Sequence, residues 1–448
     1  MRVEIQRALI ILSLFLTMGC QPSGETVPAT DSLTPSSGSV QTTINNQIVI
    51  STSSARSIPY ATDQRMSYCE SRNGIAGTYS GIQDRSLYPL ASLSKLFVSA
   101  WALRQLGPDF KFKTILRYKK VGDGVVDAAL STGYDPVVNI EKIFYLLALL
   151  KQQNITGIRN LYIDSSTRVY LSVLNNPHTE LVDVPVTLDQ SAQNLQRILN
   201  SENWSVQSAQ AQQNLKNLVS LPTSFFVKQV LPLSEVEFKN LGFSSSLEVS
   251  SSLLAKYLKN INTQSNNYIT DALFDFLGGE KKFLDFQLRE LGLKKTDLIF
   301  RTGSGLPMIN SLGRFDNKAS CYAVLKVLKY LDGVMKVNQL NAGHIMMTAG
   351  VDQGTYESLL QPPLIFNKNI VFKTGRLYDV PALNLAGLVS LPQKQTLYFA
   401  ILFHDFDNLD ELSIKNQRDQ LLASLLKTYK TESNFLTMTQ DTLYFSLQ

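Results

Sequence analysis

Apolar residues recur at helical spacing after Ser92: Leu96, Phe97, Ala100, Leu103 and Leu106 share one face. The pattern predicts a helix from Ser92 to about Leu106, stopped by Gly107-Pro108. A second helix is predicted from Ile140 to Gln152, among three strand-like runs at 112–120, 124–132 and 158–166. Helical spacing returns at 250–260, 266–277 and 319–331, and again from Leu412 to about Tyr429. Before that last helix stand three apolar strand candidates, 369–375, 384–391 and 395–403. Late strands flanked by helices at both ends predict an α+β domain with an antiparallel sheet. Residues 175–235 are rich in Asn, Gln and Ser and show no readable period.

The two ends of the polarity scale fall at the N-terminus. Arg2 and Arg7 precede a short apolar run, Ala8 to Leu16, which ends at Gly19-Cys20. This reads as a secretory signal over 1–19, too short for a membrane-spanning helix. A small residue directly before cysteine resembles a bacterial lipoprotein signal, with lipid on Cys20; Thr17 stands where leucine is usual. Gln21 follows in place of a retaining aspartate, so the expected location is the periplasm, anchored to the outer membrane. Residues 20–50 are rich in Ser, Thr and Pro and cannot bury enough surface to fold, which predicts a flexible tether.

Composition narrows the function classes. With 448 residues, 44% apolar and 18% charged, the chain can build a sizeable core. A net charge of +5 without any Lys/Arg run gives no reason to expect nucleic acid as a partner. No CxxC motif or Cys/His cluster exists, and the three histidines have no partner at metal spacing, so no metal or cofactor is expected. Asp405, Asp407 and Asp410 lack the glycine and spacing of a calcium loop and read as a solvated turn. Cys69 and Cys321 either pair in an oxidising compartment or stay as separate buried thiols; both readings remain open.

Three short motifs carry candidate chemistry. Ser92 and Lys95 stand one helical turn apart, so hydroxyl and amine can meet. A serine hydroxyl needs a base, and lysine serves as one when burial keeps it neutral. The same spacing at Ser424 and Lys427 is read as coincidence. Lys373-Thr374-Gly375 ends an apolar strand and borders the site in acyl-serine enzymes of the penicillin-binding class. Ser265-Asn266-Asn267 lies between two helices, where it is either a helix cap or a proton relay with a substrate-binding amide. Ser71-x-Asn73 and Ser201-x-Asn203 match the same pattern.

In this order the motifs resemble those of the D-Ala-D-Ala carboxypeptidase/endopeptidase family of class C low-molecular-mass penicillin-binding proteins. The likeness extends to "PLASLSKLFVSAWALRQLGPDFKFKT", "QSNNYITDALFDFLGG", "TGSGLP" and "FKTGRLYDVPALNLAGLV". It implies a penicillin-binding/serine β-lactamase-like transpeptidase domain, an antiparallel sheet with helices on both faces, at 51–117 and 245–448. An α/β subdomain would interrupt it at 118–244, shorter than is usual in the family. The resemblance implies Ser92 as nucleophile, Lys95 as its base and Ser265 as proton relay. Asn267, Lys373, Thr374, Gly375 and the Arg376 N–H would bind substrate, with Gly375 letting the substrate backbone approach. The implied substrates are peptidoglycan stem peptides, with β-lactams as inhibitors. Two departures stand out: Arg376 replaces a threonine and Thr302 an aspartate. An arginine can meet the substrate carboxylate in place of the lost hydroxyl, or crowd the site. Rival readings are a β-lactamase or esterase on the same fold, and a wall-binding lipoprotein with a decayed site.

Overall fold

The computed structural model describes residues 64–72, 79–169, 187–200, 204–215, 219–352, 354, 368–406, 410–438 and 445. The expected signal, Cys20 and the tether lie outside the described residues, as do His178, Asp407 and both Asn73 and Ser201 of the alternative motif matches.

A six-stranded antiparallel sheet forms the larger body. Its order is Met347–Thr348, Ile370–Leu377, Ala382–Leu391, Gln395–Phe403, Met66–Arg72 and Tyr79–Ile82. Side chains alternate along each strand, so successive residues feed different cores. Val371, Ala386, Leu388, Ala400 and Leu402 pack with the helices Ser94–Leu106 and Cys321–Val337. Ile370, Phe372, Leu385, Phe399 and Ile401 pack with the helix Glu411–Thr428 through Ile414, Leu421 and Leu425. Burial on both faces is why these strands read as continuous apolar runs. A disulfide joins Cys69 in the sheet to Cys321 at the start of its helix, with Cα atoms 6.0 Å apart.

A second, five-stranded sheet has its own core. Phe226–Pro232, Gly157–Ile163 and Val125–Ser131 run parallel; Lys113–Gly122 and Ser245–Ser250 complete it antiparallel. The helices Ile140–Gln152, Leu188–Leu199 and Trp204–Leu215 supply apolar side chains to that core. Its first and last strands are neighbours, so chain entry and exit lie side by side. The sheet reaches past the expected limits of 118 and 244, since its first strand begins at Lys113 and its last, Ser245–Ser250, lies wholly beyond 244. Among its described residues, the stretch with no readable period holds two helices and a strand. Among the described residues no helix is long and apolar enough to cross a membrane.

Candidate active site

Ser92 does not begin the α-helix. It sits in a short 3₁₀ turn, Ala91–Leu93, and the α-helix starts at Ser94. Ala91 carries φ +50°, a left-handed backbone that an alanine rarely adopts. Close neighbours hold the turn there. A Cβ on Gly375 would lie 2.6 Å from the Leu90 carbonyl oxygen, and one on Gly305 would lie 1.9 Å from that of Ala91. The glycine of Lys-Thr-Gly therefore lets the strand approach the serine turn, where the sequence suggested room for substrate backbone.

Lys95 is fully buried at the start of the helix. Its Nζ donates to Ser92 Oγ at 3.0 Å, to Asn267 Oδ1 at 2.6 Å and to the Ser304 carbonyl at 2.9 Å. One amine thus joins the Ser-x-x-Lys turn, the Ser-x-Asn segment and the 301–307 loop. These groups are far apart in sequence and share one point in space.

The Ser265 segment divides its tasks. Helix Leu254–Gln264 ends on Ser265, which adopts the left-handed conformation (φ 60°, ψ 34°). Asn266 is the cap of the next helix, Asn267–Phe276, and accepts the Ile269 N–H at 2.8 Å. Ser265 and Asn267 are thereby spared capping and reach Lys373 and Lys95. Lys373 is also buried; its Nζ donates to Ser265 Oγ at 2.9 Å and to the Thr374 carbonyl at 3.0 Å.

Arg376 is an exposed residue of the same strand. Its guanidinium pairs with Glu411 at 2.6 Å and lies 4.0 Å from the Tyr378 ring centroid. The charge is thus engaged by protein. A cleft of about 440 Å3 opens here, lined by Ser92, Asn267, Ser304, Leu306, Arg376 and Tyr378. Thr302, at the position where the family has aspartate, closes its own loop by donating Oγ1–H to the Leu306 carbonyl at 2.7 Å.

Two residues of the arrangement escaped the sequence reading. Buried Asn317 donates to Ser94 Oγ at 2.9 Å and to the Thr302 carbonyl at 2.6 Å, tying the serine turn to the loop. Asp271 accepts the Ser304 N–H at 2.7 Å. Burial pushes its carboxyl above the usual range, opposed by hydrogen bonds from Ser304 and by the nearby Lys95. Both work through backbone groups of a distant loop, and no local spacing marks such a role.

A two-faced antiparallel sheet with a serine–lysine pair at its edge defines a serine hydrolase of the penicillin-binding and serine β-lactamase fold. The chain belongs to the D-Ala-D-Ala carboxypeptidase 3 (S13) family, whose model matches residues 76–173 and 244–425, more than half of the sequence. It is a serine-type peptidase of that class. No curated protein matches the chain. Among solved structures, it is similar to a predatory endopeptidase of Bdellovibrio bacteriovorus, Bd3459, in complex with an immunity protein. That match has 24% identity and a TM-score of 0.73, over 85% of this chain and 98% of the other. The penicillin G acylated form of that endopeptidase matches at 23% identity and a TM-score of 0.71, over 85% and 98%. Penicillin binding protein 4 of Haemophilus influenzae, complexed with a β-lactam, matches at 19% identity and a TM-score of 0.54, over 80% and 96%. At these identities the likenesses speak for the fold.

Proposed function

We propose that the protein cleaves D-Ala-D-Ala bonds, or the equivalent crosslinks, of peptidoglycan stem peptides through an ester on Ser92. The observation that carries this reading is the buried Lys95 amine, 3.0 Å from the Ser92 hydroxyl. Lys95 takes the hydroxyl proton as Ser92 Oγ attacks the scissile carbonyl. The oxyanion is met by the N–H groups of Ser92 and Arg376. The proton held by Lys95 then reaches the leaving amine through the hydroxyl of Ser265, which is hydrogen-bonded to Lys373, as the C–N bond breaks, leaving Lys95 neutral again. Water then hydrolyses the ester, and Ser92 regains its proton.

Substrate binding falls to the surrounding groups. Asn267 contacts a substrate amide, while Lys373 and Thr374 hold the terminal carboxylate. Arg376 contributes its backbone N–H, with its guanidinium anchored on Glu411. The acylated Bdellovibrio endopeptidase and the β-lactam complex of the Haemophilus protein support acylation of this chain by β-lactams. The sequence of the first twenty residues supports export to the periplasm with lipid on Cys20, and Gln21 after it supports attachment to the outer membrane.

The test is intact-protein mass spectrometry with benzylpenicillin, followed by peptide mapping, beside release of D-Ala from a stem pentapeptide. A single adduct on Ser92 is expected, with both signals lost in Ser92→Ala. Cleavage that survives in Ser92→Ala overturns the assignment. An adduct that hydrolyses as fast as it forms would make the protein a β-lactamase instead.

A further inference from the structure

The proposed mechanism leaves one half-buried carboxylate of the site without a task. Asp271 lies one helical turn beyond Asn267, so the two side chains leave the same face of the helix. Its Oδ1 accepts the Ser304 N–H at 2.7 Å, while the Ser304 carbonyl accepts from Lys95 Nζ at 2.9 Å. Asn267 supplies another acceptor for the same amine at 2.6 Å. Two acceptors around Lys95 are therefore set by one helix and by the loop that Asp271 ties to it. Burial pushes the Asp271 carboxyl above its usual range, and hydrogen bonds from Ser304 and Gly303 together with the attraction of Lys95 work against that rise and favour the ionised form.

The other charges nearby come from three directions. Asp275 is one turn further along the same helix, and Arg168 of the inserted body acts on Asp275. Lys373, from the Lys-Thr-Gly strand, bonds Ser265. The loop itself offers Asp271 a hydroxyl and N–H groups, while Arg301 at its start pairs with Glu280.

We infer that Asp271 is a positioning residue for acylation: it fixes the Ser304 carbonyl on Lys95, and its charge stabilises the ammonium formed when Lys95 takes the Ser92 proton. This rests on Lys95 being the base. The transfer moves one proton from Ser92 Oγ to Lys95 Nζ as the ester bond forms. A fixed negative charge raises the basicity of a nearby amine. It therefore favours the proton-bearing form that the transition state approaches.

Asp271→Asn tests the inference, because the amide keeps an acceptor for Ser304 and removes the charge. The rate of adduct formation with benzylpenicillin is followed from about pH 5.5 to about pH 8.5. Lys95 becomes a weaker base in the variant. The acidic limb should move to lower pH and the plateau should fall about tenfold. A limb that stays in place, whether the plateau is unchanged or uniformly lower, overturns the charge role. Asp271→Ser, a second neutral acceptor, is read the same way if Asp271→Asn does not fold. A wild-type protein that forms no adduct on Ser92 strikes instead at the nucleophile and its base.

Discussion

At the scale of single residues, the site depends on what two glycines leave out. The serine turn lies between the strand at Gly375 and the loop at Gly305, and Ala91 keeps a left-handed backbone there. Gly375→Ala would put a methyl group 2.6 Å from the Leu90 carbonyl oxygen, backbone that has little freedom to yield. The turn must shift, and Ser92 with it. Small displacements of a reacting group cost rates steeply. Adduct formation with benzylpenicillin should slow at least about tenfold, while a melting curve still reports a cooperative fold. The motif residues were legible because their chemistry demands particular side chains. Asn317 and Asp271 were not, because they act by bonding main-chain groups far away in sequence.

At the scale of elements, the junction between helices Leu254–Gln264 and Asn267–Phe276 sets two lysine partners at once. Ser265 turns the chain and Asn266 restarts the helix, so the cap is the hinge of the motif. Asn266→Ala removes the acceptor for the Ile269 N–H and should cost about 1 kcal/mol, read from urea unfolding. Asn266→Asp keeps an acceptor and should restore most of it. Elements with strong apolar periods, such as Ile140–Gln152 and the three late strands, were legible from sequence. Helix Trp204–Leu215 was hidden because its sequence is rich in Gln and Asn, which weakens the contrast between faces. Leu188–Leu199, by contrast, buries Ala192, Leu195, Ile198 and Leu199 on one face behind a Thr187/Gln190 capping box, a signal the sequence reading missed. Helix Gly279–Arg289 was not among the expected elements; it opens on paired glycines, which are poor helix formers.

At the scale of the whole molecule, the fold responds to acid and to reductant through separate groups. Burial holds the His344 and His404 imidazoles below their ordinary range, and His404 packs edge-on against Tyr88 at 4.4 Å between centroids. The unfolded chain therefore binds protons that the fold refuses. As pH falls through about 6.5 towards the lower folded values, stability drops. Melting temperatures of wild type at about pH 7.5 and pH 6 should differ more than those of His404→Gln. The disulfide acts on the chain as a whole. Cys69 and Cys321 are 252 positions apart, so the bridge links the first described strand to a helix beyond the entire second sheet. Closing so long a span removes many conformations from the unfolded chain. The double variant Cys69→Ser/Cys321→Ser should lose about 2–5 kcal/mol in urea unfolding. Neither cysteine touches the cleft groups named above, so the folded fraction should still form the penicillin adduct at close to the wild-type rate. Equal urea midpoints for wild type with and without reductant, once reduction is verified by thiol counting, would show that the bridge contributes nothing to stability.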